Sequence, residues 1–165
     1  MTNFINLLLE LEFDVKKGNV FPWKKEPSAL GTRYSFNTGE EGIDYIVKFI
    51  PFTEDETKYE RIYRPSHKIG YEMTGEGKAF KVNATVTDIT LDFLNTNKDW
   101  TEVFISPINT KRLNLVKKFL DINIPKDKYF LDVDGAEGTL TIRRKKQLNI
   151  PVKLSKKSKK KPTAA

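Results

Sequence analysis

Few side chains in this chain of 165 residues can do chemistry, and their spacing narrows the choice further. Cysteine is absent and His67 is the single histidine. With no thiolate and no second histidine, neither a cysteine nor a two-histidine zinc site can form. His67 follows Arg64-Pro65-Ser66, which reads as a turn between strands. A solvated turn residue is the plain reading, and a general base titrating near its usual value of about 6.5 is the functional one. Asp88 and Asp92 stand at i, i+4 spacing, where like charges mark a solvated helix face. Glu54-Asp55-Glu56, and Asp132 with Asp134, could attract a divalent cation. Neither has the spacing of a calcium loop, so no metal is expected. Tyr45, Phe49, Tyr59, Tyr63 and Tyr71 are candidates for a platform on which single-stranded nucleic acid stacks. Shared parity on two strands lets core packing account for one face of them.

Charge is the strongest signal, and its location says more than its total. The net charge is +7, with 29 basic and 22 acidic residues. Ten of the basic residues are Arg143, Arg144, Lys145, Lys146, Lys153, Lys156, Lys157, Lys159, Lys160 and Lys161, a stretch with no acid in it. Without these ten, 19 basic residues face 22 acidic ones, so the remainder carries −3. The tail makes the protein basic. It is either a solubilising extension or a polyelectrolyte arm that neutralises phosphates and releases their counterions.

The elements that must position these residues follow from periodicity. Phe4, Leu7, Leu8 and Leu11 have helical spacing and predict a short N-terminal helix over 3–11. Residues 19–31 hold Pro22, Pro27 and Gly31 and read as an irregular connection pinned by Phe21 and Trp23. An antiparallel meander follows, with strands over 32–36, 43–52, 58–63 and 68–74. Val82, Val86, Ile89 and Phe93 then change the period and predict a helix over 79–94. Glu102 to Ser106 is a buried-strand candidate, and Lys111 to Leu120 a helix with Leu113, Val116 and Leu120 inward. A hairpin joins 129–133 to 139–143 across Asp134-Gly135-Ala136-Glu137-Gly138.

A strand–helix–strand passage around 79–94 implies a central parallel pair inside an otherwise antiparallel sheet. The expected fold is therefore α+β, a mixed and mostly antiparallel sheet with flanking helices. Residues 1–146 form one domain and 147–165 a flexible lysine-rich tail. No apolar run nears the roughly 18 residues of a membrane span. Leu7 to Leu9 meets Glu10 at once with no basic segment before it, so no secretory signal is expected. Absent cysteine fits a reducing cytoplasm.

Two resemblances add to this reading. Thr74-Gly75-Glu76-Gly77-Lys78-Ala79-Phe80-Lys81-Val82, then Ala84-Thr85-Val86, Phe104-Ile105-Ser106 and Lys111-Arg112-Leu113, resemble a family of uncharacterised tailed-bacteriophage proteins over residues 70 to 143. That likeness implies a phage origin, in an infected cell or a virion, and brings no activity. The element order resembles that of the GNAT acyltransferases. In GNAT enzymes a loop opening a helix holds the coenzyme A pyrophosphate by backbone N–H groups. The likeness implies that Gly75, Gly77 and Ala79 would bind acetyl-CoA. Thr74 departs from the Gln or Arg of that loop, and Glu76 sets a negative charge beside it. A tight strand-to-helix turn explains the glycines without a ligand.

The leading expectation is a non-catalytic phage accessory protein that binds nucleic acid, or a nucleoprotein complex, through its basic tail. A virion or host-factor-binding role is one alternative. A GNAT-like acyl-CoA-dependent transferase is the other, with His67 or Glu72 as base and Tyr129 as acid.

Overall fold

Alternation along the chain builds one sheet. The computed structural model describes residues 13–17, 19–38, 44–65, 76–106 and 110–145. Its strands are β1 (Trp23–Glu26), β2 (Thr32–Asn37), β3 (Asp44–Pro51), β4 (Lys58–Pro65), β5 (Glu102–Ile105), β6 (Tyr129–Asp134) and β7 (Thr139–Arg144). They lie in the order β1-β2-β3-β4-β5-β7-β6. Every neighbouring pair is antiparallel except β4 and β5, which are parallel. The mixed, mostly antiparallel sheet expected from the sequence forms; its parallel pair joins β5 to β4, the strand over 58–65, and not to the strand expected over 68–74. The predicted helix over 3–11 and the predicted strand over 68–74 lie outside the described residues.

Two helices supply the second layer, α1 (Glu76–Thr96) and α2 (Thr110–Asn123), preceded by a short 3-10 turn at Val15–Lys17. Tyr34, Phe36, Tyr45, Val47, Phe49, Val103, Ile105, Leu140 and Ile142 form the buried face of the sheet. Phe49 stacks on Phe93 of α1 at 4.1 Å between ring centroids, 3° from parallel. Such a pair adds about 0.5–1.5 kcal/mol beyond the area it buries. Phe13, Phe80 and Phe119 meet in a second cluster that ties α1 to α2.

Helix α1 is more deeply embedded than its sequence pattern implies. An apolar stripe at 82, 86, 89 and 93 predicts one buried face, yet every residue from Val82 to Thr87 is buried. Thr85, Thr87 and Thr90 make this possible by donating their hydroxyls to the carbonyls of Lys81, Asn83 and Val86, four residues back, at 2.7–2.8 Å. A satisfied threonine presents mainly its methyl group to the surroundings, so burying it is cheap.

Three expectations are corrected by this packing. Trp23–Glu26 is a strand, not an irregular connection, because its partner β2 rescues a segment too short to declare itself between Pro22 and Pro27. The aromatic platform is interior: Tyr45 is 4% and Phe49 0% exposed, and Tyr59 and Tyr63 pack against the core. Tyr71 lies outside the described residues. Asp88 and Asp92 do not form a solvated face. Trp23 Nε1 donates to Asp88 at 2.8 Å and the Tyr34 hydroxyl donates to Asp92 at 2.7 Å, so the pair fastens α1 to β1 and β2. Burial, then the Asp92 carboxylate, pushes the Tyr34 phenol far above its ordinary range.

Candidate nucleic-acid interface

Helix α2 is amphipathic for a simple reason: Leu113, Val116, Phe119 and Leu120 recur at helical spacing and are buried. What remains outside is basic. Lys111, Lys117 and Lys118 are exposed on the helix, and Lys126 and Lys128 follow in the turn to β6. Over 111–128 six basic residues face only Asp121 and Asp127, a local net charge of +4. Charge summed over the whole body hides this surface, because acids elsewhere outweigh it. A running count along the chain finds it.

The strand β7 brings Lys145 to the same place. Lys145 donates its backbone N–H to the carbonyl of Lys128 at 2.8 Å, which fixes Lys145 beside the turn. A groove of about 330 Å³ opens there, lined by Lys117, Asp121, Lys126, Phe130, Leu131 and Lys145. Lys117 pairs with Asp121 at 2.7 Å. Lys126 and Lys145 have no carboxylate partner among the described residues. Phe130 is 45% exposed on the edge strand β6, an uncovered aromatic ring among ammonium groups. A ring and two unpaired cations can take one base and its adjoining phosphates.

A second concavity, about 460 Å³, lies on the face of β1–β3 turned away from the helices. It also carries cations, but Glu26 occupies them. Arg33 Nε lies 3.1 Å from Glu26 without the angle of a hydrogen bond, Lys24 lies 3.6 Å away, and the Ser35 hydroxyl donates at 2.8 Å.

The ten basic residues singled out in the sequence divide. Arg143 on β7 is ion-paired with Glu102 and with Asp132, the latter at 3.1 Å. Arg144 donates to the carbonyls of Lys98 and Asn97 at 3.0 and 3.2 Å and lies 4.4 Å over the Trp100 ring. Both arginines of β7 are engaged within the fold by these contacts. Lys145 lines the groove. Lys146, Lys153, Lys156, Lys157, Lys159, Lys160 and Lys161 lie outside the described residues.

Among the described residues of the acyltransferase reading, Gly77 and Ala79 lie at one end of α1 and Tyr129 near the other. Gly77 and Ala79 fall in the first turn of α1, where backbone N–H groups are free of intrahelical partners. Gly75, His67 and Glu72 lie outside the described residues. Tyr129 is 6% exposed and packs on Trp100, whose indole N–H donates to Leu94 near the opposite end of α1. At 1.5 Å per residue Leu94 lies about 25 Å along the helix from Gly77, so Tyr129 packs near the far end of α1 from that turn. Of the acidic candidates, Asp134 accepts from Ala136 and Glu137 in its turn, and Asp55 accepts from Thr57. No protein-family model, curated protein or solved structure matches the chain.

Proposed function

We propose that this is a non-catalytic accessory protein that binds single-stranded nucleic acid without strong sequence preference. The tail and the α2–β6 groove act as one cationic track. The observation that carries this reading is the groove itself, lined by exposed Phe130 and by Lys126 and Lys145, which have no carboxylate partner among the described residues. The lysine-rich stretch beyond it supplies the larger share of charge, and counterion release makes such binding fall steeply with salt. The likeness of residues 70 to 143 to tailed-bacteriophage proteins supports a role in an infected cell.

The test is fluorescence anisotropy with a labelled oligonucleotide across a salt series. Binding at low salt should weaken steeply as salt rises and largely disappear on deleting residues 147–165. Absence of binding at low salt, or indifference to the deletion, refutes the proposal.

One observation favours a second reading, a GNAT-like transferase. The central parallel pair β4–β5 is joined through a helix whose first turn holds Gly77 and Ala79. Titration with acetyl-CoA decides it: saturable micromolar binding lost in Gly77→Glu would favour the enzyme, and no response at millimolar ligand leaves the accessory reading in place.

A further inference from the structure

Arg61 is out of keeping with its surroundings. It sits on the helix-facing side of β4, in register with Phe49 of β3 and Ile105 of β5, both buried. It is itself only 6% exposed. Buried guanidinium groups ordinarily meet a carboxylate, since an unpaired buried charge is among the costliest features a fold can carry. Here none faces it among the described residues. Glu60 precedes it on the opposite face of the strand, and Asp88 and Asp92, which flank Thr90 on α1, are turned to Trp23 and Tyr34.

Its hydrogen bonding is correspondingly thin. Nη1 donates to the Thr90 hydroxyl at 3.1 Å, and the Tyr63 ring lies 5.8 Å away. Nε is buried with no hydrogen-bond partner among the described residues. With Nη1 engaged, buried Nε is left without a partner; it belongs to the Nε–Nη2 edge, along which a guanidinium grips two oxygens of one oxyanion. Burial lowers its pKa to about 10, so the group is still a cation at neutral pH.

Position adds a second, independent argument. Arg61 opposite Ile105 is the last register pair of the parallel strands. Beyond it β4 runs on to Pro65 alongside β3, while β5 ends. Arg61 therefore stands where two parallel strands part at their carboxyl ends, the place in a sheet with parallel strands where ligands enter.

We propose that Arg61 is the anchor of a binding site for a small oxyanion, a phosphate or carboxylate group taken by the Nε–Nη2 edge at the parting of β4 and β5. This site is separate from the polyanion groove and needs neither the tail nor the α2 lysines. The bound oxygens would supply the partner that Nε lacks.

The experiment is thermal unfolding of the full chain in sodium phosphate, sodium acetate and sodium chloride at matched ionic strength. A saturable rise in Tm with phosphate or acetate over chloride is expected, and the anion that produces it names the group recognised. Arg61→Met should abolish that rise while leaving the ligand-free Tm equal to or above that of the parent, because it removes an uncompensated buried charge. Should Arg61→Met not fold, Arg61→Lys keeps the charge, loses the fork, and should weaken the anion at least tenfold. Lys126→Glu with Lys145→Glu should leave the rise intact, which separates this site from the nucleic-acid track. No saturable advantage over chloride, or a parent-like response in the Arg61 variants, overturns the proposal.

Discussion

Two concave regions of this molecule contain similar side chains and have opposite character. On the β1–β3 face, Lys24 and Arg33 share the carboxylate of Glu26, so their charge is partly offset within the fold. In the α2–β6 groove, Asp121 is occupied by Lys117, and no carboxylate among the described residues pairs with Lys126 or Lys145. A count of lysines therefore does not locate a polyanion site; the count of lysines without carboxylates does. The same distinction separates Arg143, ion-paired with Glu102 and Asp132, from Lys145 two positions on.

The largest effect should come from the frame of the β1–β3 face. Gly31, between β1 and β2, has φ +74°, and a Cβ there would lie 2.0 Å from the Phe49 carbonyl oxygen. Gly31→Ala should destabilise the protein by about 3 kcal/mol or more, lowering Tm by roughly 10 °C in a thermal melt. Nucleic-acid binding by the folded fraction should be unchanged, since the groove lies at the other edge of the sheet.

Reversing charge in each region tests the distinction directly. Lys126→Glu with Lys145→Glu should reduce oligonucleotide affinity about tenfold at low salt and flatten the salt dependence, on the order of 0.7 in slope for each phosphate no longer neutralised. The matched change on the other face, Lys24→Glu with Arg33→Glu, should alter affinity less than about twofold on the same principle. Equal losses from both pairs in anisotropy titrations would erase the distinction.

A gentler change should blur the two regions. Glu26→Gln frees Lys24 and Arg33 and should raise oligonucleotide affinity about two- to threefold by adding unpaired cations. Its cost in stability should stay below about 1 kcal/mol, as for other half-exposed ion pairs. Chemical denaturation of the variant measures this.

The smallest effect belongs to the acidic turn between β3 and β4. The Thr57 hydroxyl, and then its backbone N–H, hold the Asp55 carboxyl below its ordinary 3.8. A depressed folded-state value means that Asp55 contributes its stability above the unfolded value and loses it as pH falls through the folded one. An NMR titration of the side-chain carboxyl should show a midpoint below 3.8. Asp55→Asn should remove that part of the acid sensitivity and leave neutral-pH oligonucleotide binding unchanged.

Elements with a local cause were legible in the chain before any packing was known. The helical spacing of Leu113, Val116 and Leu120 named the buried face of α2, and Asp134 to Gly138 marked the β6–β7 hairpin, where Gly138 takes φ +69°. The strand–helix–strand order also required a parallel pair, because a chain that crosses back over a sheet returns in the same direction. These features can be read because backbone geometry repeats every two or 3.6 residues whatever the rest of the molecule does. Which charges meet was a matter for tertiary packing. Trp23 finds Asp88 across 65 positions and Arg143 finds Glu102 across 41. No local pattern reports such pairings, so neutralised Arg143, unpaired Lys145 and buried Arg61 are alike as letters. They differ because an ionised side chain is defined by the dielectric and the counter-charge around it, and those are supplied by distant segments once the sheet has closed over α1.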